Sequence, residues 1–331
     1  MGAGEVAAFR GVSKSYGRVR AVDGLDLVLR PGETVALLGP NGAGKSSSLD
    51  LLLGLREPDR GSVTLFGGAP RAAITAGRVG AMLQSGGLMA DVKVRELVRL
   101  ACDVHPRGRA VAEVLADAGI TGLAERRVDR LSGGQEQRVR FALAVAGAND
   151  LIVLDEPTTG MDVSVRQAFW ASMRAQADAG RTVLFATHYL EEADSIADRV
   201  LVLHRGRLIA DGSSAEIKAR AGARRVTFEL HEADGPFDEA PLRRLPGVQG
   251  LELTARVPGV RTVRIRTADA DAAVAALYRA GLYPRGLEVT GLGLEQAFLA
   301  ITGEQDAAGP ARSAESARPA GNAESALERA R

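Results

Sequence analysis

Cysteine is almost absent from this chain, and its scarcity excludes two kinds of structure. The 331 residues include a single cysteine, Cys102. One cysteine rules out an intramolecular disulfide and any metal site built from several cysteines. A chain without disulfides fits a reducing compartment, and we expect the protein to be cytoplasmic.

Long apolar runs are also missing, and so is an excess of charge of either sign. No apolar run approaches the ~18–20 residues that a membrane-spanning helix needs. The first six residues lack a basic stretch followed by an apolar one, so we expect no signal peptide. If the protein moves anything across a membrane, another chain must supply the path. With 42 Lys and Arg against 41 Asp and Glu, the net charge of +1 argues against a nucleic-acid partner.

Strand and helix patterns alternate along residues 5–220, and this alternation predicts a first domain with a parallel α/β core. Buried strands are predicted at 33–38, 79–84, 151–154 and 182–187. Helices are predicted at 46–53, 91–119 with a break at 105–108, 133–148, 163–179 and 189–196. Short antiparallel strands are predicted at 6–9, 19–22 and 25–29.

A change of pattern near residue 220 predicts a second, smaller domain. Residues 223–303 mix short strands and helices in an α+β arrangement of ordinary domain size. From residue 304 to residue 331 scarcely any large apolar residue occurs, which predicts a disordered tail. We interpret the following apolar residues as the core of the second domain: Phe228, Leu253, Val263, Leu277 and Phe298.

A glycine-rich stretch between a predicted strand and a predicted helix has the pattern of a phosphate-binding loop. Backbone N–H groups of such a loop can curve around β- and γ-phosphates, and the helix N-terminus adds partial positive charge. Lys45 is suited to bridging the phosphate oxygens and Ser46 to ligating Mg²⁺. The pattern therefore predicts a nucleoside triphosphate with Mg²⁺. The residues assigned to this loop are Gly39, Pro40, Asn41, Gly42, Ala43, Gly44, Lys45, Ser46 and Ser47.

Two acidic residues, a histidine and a glutamine follow apolar strands, where ligands gather in open α/β sheets. Asp155 is expected to bind Mg²⁺ directly or through one of its ligands. Glu156 is expected to orient or deprotonate the attacking water. We expect His188 to contact the γ-phosphate, and the amide of Gln84 to reach Mg²⁺ and the water.

Residues 131–135 supply a second candidate anion site, because Ser132, Gly133 and Gly134 open a predicted helix. Two phosphate sites and one obvious nucleotide pocket suggest two chains that face each other, each completing the other's site. Tyr16 could stack on a purine ring, although a tyrosine in a turn also serves as ordinary packing.

These motifs, in this order, resemble those of the ATP-binding-cassette (ABC) ATPases. Within that family the chain looks most like the drug-exporter subunits of bacteria, the daunorubicin-resistance type. The match covers about residues 5–220 and includes Tyr16, the loop 39–46, Gln84, the signature 131–135, Asp155-Glu156, 159–162 and His188. The resemblance implies a fold with a RecA-like parallel core, an antiparallel β subdomain and a helical subdomain, followed by a small α+β domain.

The resemblance also implies a working arrangement. In that family two cassettes dimerise head to tail, so the signature of one chain (Ser132, Gly133, Gly134 and Gln135) meets the ATP held at Lys45 of the other. Asp162 carries the link between the two sites. The chain would then be a homodimer that hydrolyses ATP with Mg²⁺. It would sit peripherally on the inner face of the cell membrane, bound to an integral-membrane permease. The resemblance to drug-exporter subunits implies that this pair exports drugs or other hydrophobic compounds.

Two other functions stay open. An importer ATPase is one, although importers often carry a longer, barrel-like regulatory domain. A cassette of translation or DNA repair is the other. Translation factors usually carry two cassettes, and this chain has one signature. Repair ATPases insert coiled coils or cysteine-rich zinc modules, whereas the stretch between Ser46 and Leu131 is short.

Overall fold

A computed structural model of the protein describes residues 4–84, 86–220, 224–231, 239–291 and 293–307. Its strands are β1 (Ala7–Tyr16), β2 (Val19–Leu29), β3 (Thr34–Leu38), β4 (Arg60–Leu65), β5 (Val79–Met82), β6 (Leu151–Asp155), β7 (Thr182–Thr187), β8 (Arg199–His204), β9 (Arg207–Gly212), β10 (Arg224–His231), β11 (Val248–Val257), β12 (Val260–Thr267) and β13 (Arg285–Gly291). Its helices are α1 (Lys45–Leu52), α2 (Pro70–Thr75), α3 (Val94–Val104), α4 (Val111–Asp117), α5 (Gly133–Ala144), α6 (Val163–Asp178), α7 (Leu190–Ile196), α8 (Ser214–Arg220), α9 (Ala240–Arg243), α10 (Ala270–Arg279) and α11 (Leu294–Ala307).

The central sheet has the strand order β5-β6-β7-β3-β8-β9. Neighbouring strands are parallel except for the β8–β9 hairpin. Every residue of β3, β6 and β7 is buried, which explains their continuous apolar sequences. Because these three strands are parallel, their carboxyl ends meet at one edge of the sheet. The predicted parallel α/β core is confirmed.

A second sheet packs antiparallel strands in the order β2-β1-β4. The prediction of two separate strands at 19–22 and 25–29 was wrong, because β2 runs through both. The strand continues past Gly24, which adopts a φ of 64° and donates its N–H to Ser13 Oγ at 3.0 Å. Irregular register between Val12 and Lys14 absorbs the extra residue, as a β-bulge does.

The helical region between the two halves of the sheet follows the predicted pattern, with α3 and α4 separated at 105–110. Three helices were missed: α2, α8 and the four-residue α9. Helix α2 begins with Pro70. Proline is favoured at the first helical position because a backbone N–H there would have no partner within the helix, so its absence costs nothing. Helix α8 is preceded by a capping box, since Ser213 N donates to Glu216 Oε2 at 2.7 Å and Glu216 N to Ser213 Oγ at 3.2 Å.

Residues 224–291 form a four-stranded antiparallel sheet in the order β11-β12-β10-β13. In chain order the elements run β10-α9-β11-β12-α10-β13, which is the split βαβ arrangement. This sheet has its own apolar cluster, with Val226, Phe228, Val263, Ile265 and Leu277 at its centre. The α+β character predicted for this part of the chain agrees with that topology.

The last helix, α11, packs against the first region and not against this cluster. Leu294 and Ala297 are fully buried in the same apolar cluster as Ile152 and Phe185 of the central sheet, and Phe298 packs against it. The assignment of Phe298 to the second core was therefore wrong. Helix α11 also runs to Ala307, beyond the predicted start of the tail, and residues 308–331 lie outside the described residues. In the part of the chain that the structure describes, no helix has the length and apolarity to cross a membrane.

Candidate functional site

The loop between β3 and α1 is built so that only glycine fits at two of its positions. A Cβ on Gly44 would lie 2.2 Å from Ala21 O, and this residue has a φ of 102°. A Cβ on Gly39 would lie 2.5 Å from Leu203 O. Gly44 is also the N-cap of α1 and has no side chain to bond the first N–H groups of the helix. The loop thus presents backbone donors at a helix N-terminus, the arrangement that binds phosphate.

Lys45 is a buried cation held at the floor of this loop. Its Nζ donates to Gly39 O at 2.7 Å and lies 3.3 Å from Glu156 Oε1. Both side chains are only 7% exposed. A buried ammonium needs such partners because desolvation penalises an isolated charge. The structure therefore brings the loop lysine and the predicted catalytic glutamate together in one chain.

Glu156 is held in an unusual backbone conformation next to His188. Its φ is 50°, a value that is strained for a residue with a side chain, and its N–H donates to Ala186 O at 2.9 Å. His188 Nδ1 donates to Glu156 Oε2 at 2.7 Å. The Glu156 carboxylate is thereby fixed between Lys45 and His188. It lies at the carboxyl edge of the sheet, where it could hold a water molecule.

Asp155 and Ser46 offer a fit for Mg²⁺. The Asp155 side chain is buried, and its Oδ1 has no hydrogen-bond partner. Burial raises the pKa of Asp155, the hydrogen bond from Ser46 opposes that rise, and the charge of Glu156 adds to it. A buried carboxylate oxygen without a partner beside a hydroxyl is the donor chemistry that Mg²⁺ takes. Among the described residues there is no cluster of three or more His, Cys, Asp or Glu that could hold a metal alone, so the nucleotide phosphates would complete the coordination.

Lys45, Ser46, Glu156 and His188 line one cavity of about 580 Å³, whereas Asp155 does not line it. A volume of this size suits a small ligand such as a nucleotide. The residues that line it are Val19, Ala21, Pro40, Asn41, Gly42, Gly44, Lys45, Ser46, Ser47, Gln84, Glu156, Thr159 and His188. Gln84 is one of the lining residues, and its contact with Mg²⁺ and water stays a prediction. Gly39 and Ala43 belong to the loop but do not line the cavity.

The signature residues lie elsewhere. Ser132 is the N-cap of α5 in a capping box, with Gln135 N donating to Ser132 Oγ at 3.4 Å and Ser132 N to Gln135 Oε1 at 3.1 Å. Ser132 and Gly133 are exposed, and none of residues 132–135 lines the cavity. A single chain therefore does not bring the signature to its own phosphate loop. Gly134 is partly buried beside the Val165 side chain.

Two further predicted residues also lie outside the cavity. Asp162 is the N-cap of α6 and accepts from Val165 N and Ser164 Oγ at 2.8 Å each, bonds that lower its pKa. Tyr16 is 41% exposed, with Lys14 Nζ 5.9 Å from its ring centroid. Its strand partner Val19 does line the cavity, so Tyr16 lies next to the rim.

Sequence reasoning missed Val19, Ala21 and Thr159 as cavity residues. Thr159 could have been found, because it follows the acidic pair at the end of a buried strand. Val19 and Ala21 carry no chemical signal, since an apolar residue on an antiparallel strand looks the same in a core or in a cavity wall.

A phosphate loop between a parallel strand and a helix, with a strained glutamate and a histidine at the ends of neighbouring strands, defines a P-loop nucleotide-hydrolysing cassette. The sequence and structure comparisons then place the chain. A family model described as ABC transporter matches residues 22–159. The Daunorubicin/doxorubicin resistance ATP-binding protein of Streptomyces peucetius is 35% identical over 309 residues, covering 88% of this chain and 91% of that protein.

Two other similar proteins are also ATP-binding proteins. The Nod factor export ATP-binding protein I of Burkholderia orbicola is 38% identical over 243 residues, covering 71% of this chain and 78% of that protein. A dimeric ATP-binding cassette solved in a post-hydrolysis state with ADP and Pi has a TM-score of 0.57 and 25% identity, covering 62% of this chain and 98% of that one. The chain belongs to the ABC transporter family as an ATP-binding subunit, and the predicted ATPase activity and cassette fold are confirmed.

Proposed function

We propose that this chain is the ATP-hydrolysing subunit of an exporter for drug-like or other hydrophobic compounds. Two copies would close around two ATP–Mg²⁺ and drive a separate integral-membrane permease. The observation that carries the catalytic part is the fixed Glu156 carboxylate, bonded to His188 at 2.7 Å and paired with Lys45 at 3.3 Å. A carboxylate held in this way can orient the attacking water while Lys45 and the loop amides hold the phosphates.

When bound, Mg²⁺ would make one contribution, which is to neutralise negative charge on the β- and γ-phosphate oxygens. Ser46, which lines the cavity, and Asp155, which is hydrogen-bonded to Ser46, would hold it, and Gln84 lines the same cavity. The protein residues do the rest. Lys45 and the glycine loop position the phosphates, Glu156 orients and accepts a proton from water, and His188 holds Glu156 and faces the γ-phosphate position.

The exposed signature supports a homodimer. The N-terminus of α5, with Ser132 and Gly133, lies on the surface and outside the cavity of its own chain. A helix N-terminus is an anion site. A second copy of the chain, placed head to tail, would bring that site to the ATP of its partner, and Asp162 would lie between the two sites.

Export is favoured over import by the second region and by the relatives. Residues 224–291 form a compact split βαβ unit and not a barrel. One of the relatives named above is a Nod factor export protein, and the other is a daunorubicin/doxorubicin resistance protein. A permease partner would place the chain peripherally on the cytoplasmic face of the membrane. The sequence of residues 83–97 resembles the region that receives a permease helix in ABC ATPases, and Met89 within it is exposed.

The dimeric site is tested with Ser132→Arg. A bulky cation at a closed interface should abolish ATP turnover while each chain still binds ATP. Ser213→Arg is the matched control, because Ser213 caps α8 in the same way and its loss should cost only about 1 kcal/mol of stability. The control protein should therefore keep its turnover.

Mixing Ser132→Arg with Lys45→Ala separates a shared site from an internal one. In a mixed dimer one site keeps both an intact phosphate loop and an intact signature, so hydrolysis should return although each variant alone is inactive. Wild-type turnover by Ser132→Arg alone would contradict the shared site. ATP-driven uptake by inside-out vesicles carrying the permease would establish export, and ATP-driven release would favour the importer alternative.

A further inference from the structure

Glu192 is a buried carboxylate next to the cavity, and none of the roles described above accounts for it. It is the third residue of α7 and is 4% exposed. Both of its oxygens accept hydrogen bonds from threonine hydroxyls. Thr158 Oγ1 donates to Oε1 at 2.5 Å, and Thr187 Oγ1 donates to Oε2 at 3.0 Å. Both threonines are almost completely buried.

The two threonines belong to the two segments that carry the catalytic pair. Thr158 lies two residues after Glu156 on the loop that leaves β6, and Thr187 directly precedes His188 at the end of β7. One carboxylate that does not line the cavity therefore connects both segments, while the Glu156–His188 hydrogen bond connects them at the cavity. Thr187 Oγ1 also accepts from Tyr189 N at 3.0 Å, which fixes the backbone on the far side of His188.

The same carboxylate reaches the next part of the loop through Arg166. Arg166 Nε lies 3.7 Å from Glu192 Oε1, which is an ion pair without a hydrogen bond. Arg166 Nη2 donates to Met161 O at 3.4 Å, and its guanidinium lies 4.8 Å from the Tyr189 ring centroid. Glu192 is thus the centre of a cluster that joins the segments 158–161 and 187–189.

Burying a carboxylate opposes folding unless its bonds are complete, and an apolar residue would be the simpler way to pack this position. Its two hydroxyl bonds instead fix the relative position of two loops, and positioning of reacting groups is sensitive to shifts of about 1 Å. We propose that Glu192 is a positioning residue for ATP hydrolysis, which holds Glu156 and His188 in register. The inference rests on the proposed role of Glu156 in activating water.

A role in positioning differs from a role in stability alone. If Glu192 only stabilised the start of α7 as an acidic residue near a helix N-terminus, its replacement would lower the melting temperature and leave the chemical step unchanged. If it positions the pair, kcat falls while ATP affinity is retained, because the hydrogen bonds and the ion pair of Glu192 described above join it to Thr158, Thr187 and Arg166 and not to the phosphate loop.

The test measures steady-state ATP hydrolysis by the full chain for Glu192→Gln, Thr158→Val and Thr187→Val. The glutamine keeps the shape but has one acceptor oxygen instead of two. We expect each variant to lower kcat about tenfold. The KM for ATP should stay within about twofold of wild type. Combining Glu192→Gln with Thr158→Val should add little to either single loss, because both break the same connection.

Glu191→Gln is the matched control. Glu191 is the neighbouring residue of the same helix and is exposed, so its replacement removes the same charge without touching the cluster. Its kcat should equal that of the wild type. If Glu192→Gln does not give a cooperative melting transition, the two threonine variants decide the question.

Wild-type kcat in Glu192→Gln and in both threonine variants would overturn the inference, as would a loss that appears only in KM. Glu156→Gln, assayed in parallel, separates this failure from a failure of the proposed function. If Glu156→Gln is inactive and Glu192→Gln is not impaired, the positioning role alone is wrong. If Glu156→Gln is fully active, the catalytic assignment itself fails.

Discussion

The cassette, residues 4–220, and the C-terminal sheet, residues 224–291, both cover a β-sheet with helices, yet they bury different chemistry. In the described residues four charged side chains are buried: Lys45, Asp155, Glu156 and Glu192. All four lie in the cassette around one edge of its central sheet. The described part of the C-terminal sheet buries a single polar side chain, Thr267, whose hydroxyl donates to Pro246 O at 2.9 Å.

The difference shows that the features that oppose folding are concentrated in the cassette. Buried charges and the positive φ of Glu156 oppose folding, so they persist only where surrounding contacts hold them. The C-terminal sheet has the features of an ordinary core, with Val226, Phe228 and Ile265 fully buried beneath α10. We infer that chemistry is confined to the cassette and that the second region contributes structure or contacts.

The largest contrast is expected for Asp155→Asn, compared with Glu288→Gln on the exposed side of β13. Removing the Asp155 carboxylate should lower ATP hydrolysis at least about 100-fold, because Mg²⁺ loses a partner. Glu288→Gln should hydrolyse ATP at the wild-type rate, since this side chain is exposed. Comparable losses in both variants would break the distinction between the regions.

The same Asp155 variant carries a prediction for stability against pH. Because the pKa of Asp155 is raised, the folded state binds this proton more tightly than the unfolded chain does. The ionised carboxylate therefore weakens folding at neutral pH, and stability is regained as the pH falls toward the ordinary value of 3.8. Without nucleotide, Asp155→Asn should melt at a higher temperature than wild type by about 2–4 °C for each kcal/mol relieved. A lower melting temperature at neutral pH would contradict this explanation.

Two buried phenylalanines sharpen the comparison through packing. Phe185 lies in β7 and Phe228 in β10, and both are fully buried. Either change to Ala should destabilise its region by about 3–5 kcal/mol. Phe185→Ala should also reduce ATPase activity, because β7 carries Thr187 and His188. Phe228→Ala should leave ATPase activity unchanged below the melting transition. Calorimetry and ATPase assays at the same temperature test this pair of predictions. Loss of ATPase activity in Phe228→Ala but not in Phe185→Ala would contradict them.

Helix α11 tests where the boundary between the two regions falls. Leu294→Ala should destabilise the cassette by about 2–5 kcal/mol, since Leu294 is buried in the cassette cluster. Leu299→Ala is the control, and it should change stability by no more than about 0.5 kcal/mol because Leu299 is 60% exposed. If thermal melting shows Leu294→Ala lowering only the transition of the C-terminal sheet, the packing of α11 has been misassigned.

The sequence predicted most of this site because strand ends leave a clear pattern. Two apolar runs end one residue short of Glu156 and of His188, and a glycine loop precedes Lys45. These patterns indicate both the fold and the reactive edge. Glu192 could not be found in this way. It stands beside Glu191 in an acidic pair, and only the packing of α7 decides which of the two is buried.

The placement of α11 was hidden for a similar reason. The apolar positions Leu294, Ala297 and Phe298 indicate a helix with one buried face, but the pattern does not identify the core that receives it. That choice depends on α7 and α8, which are distant in sequence. The assignment of the domains at 5–220 and 223–303 therefore remains a prediction, although α11 packs against the cassette cluster.

The central claim is that Glu156 activates water for ATP hydrolysis at a site whose phosphate loop binds independently of it. Single-turnover hydrolysis and ATP binding by purified Glu156→Gln test this most directly. The substitution keeps the shape of the side chain and removes its charge. We expect ATP affinity to be retained and hydrolysis to fall at least about 100-fold, with dimers accumulating in the presence of ATP and Mg²⁺. A Glu156→Gln protein that hydrolyses ATP at the wild-type rate would contradict the claim.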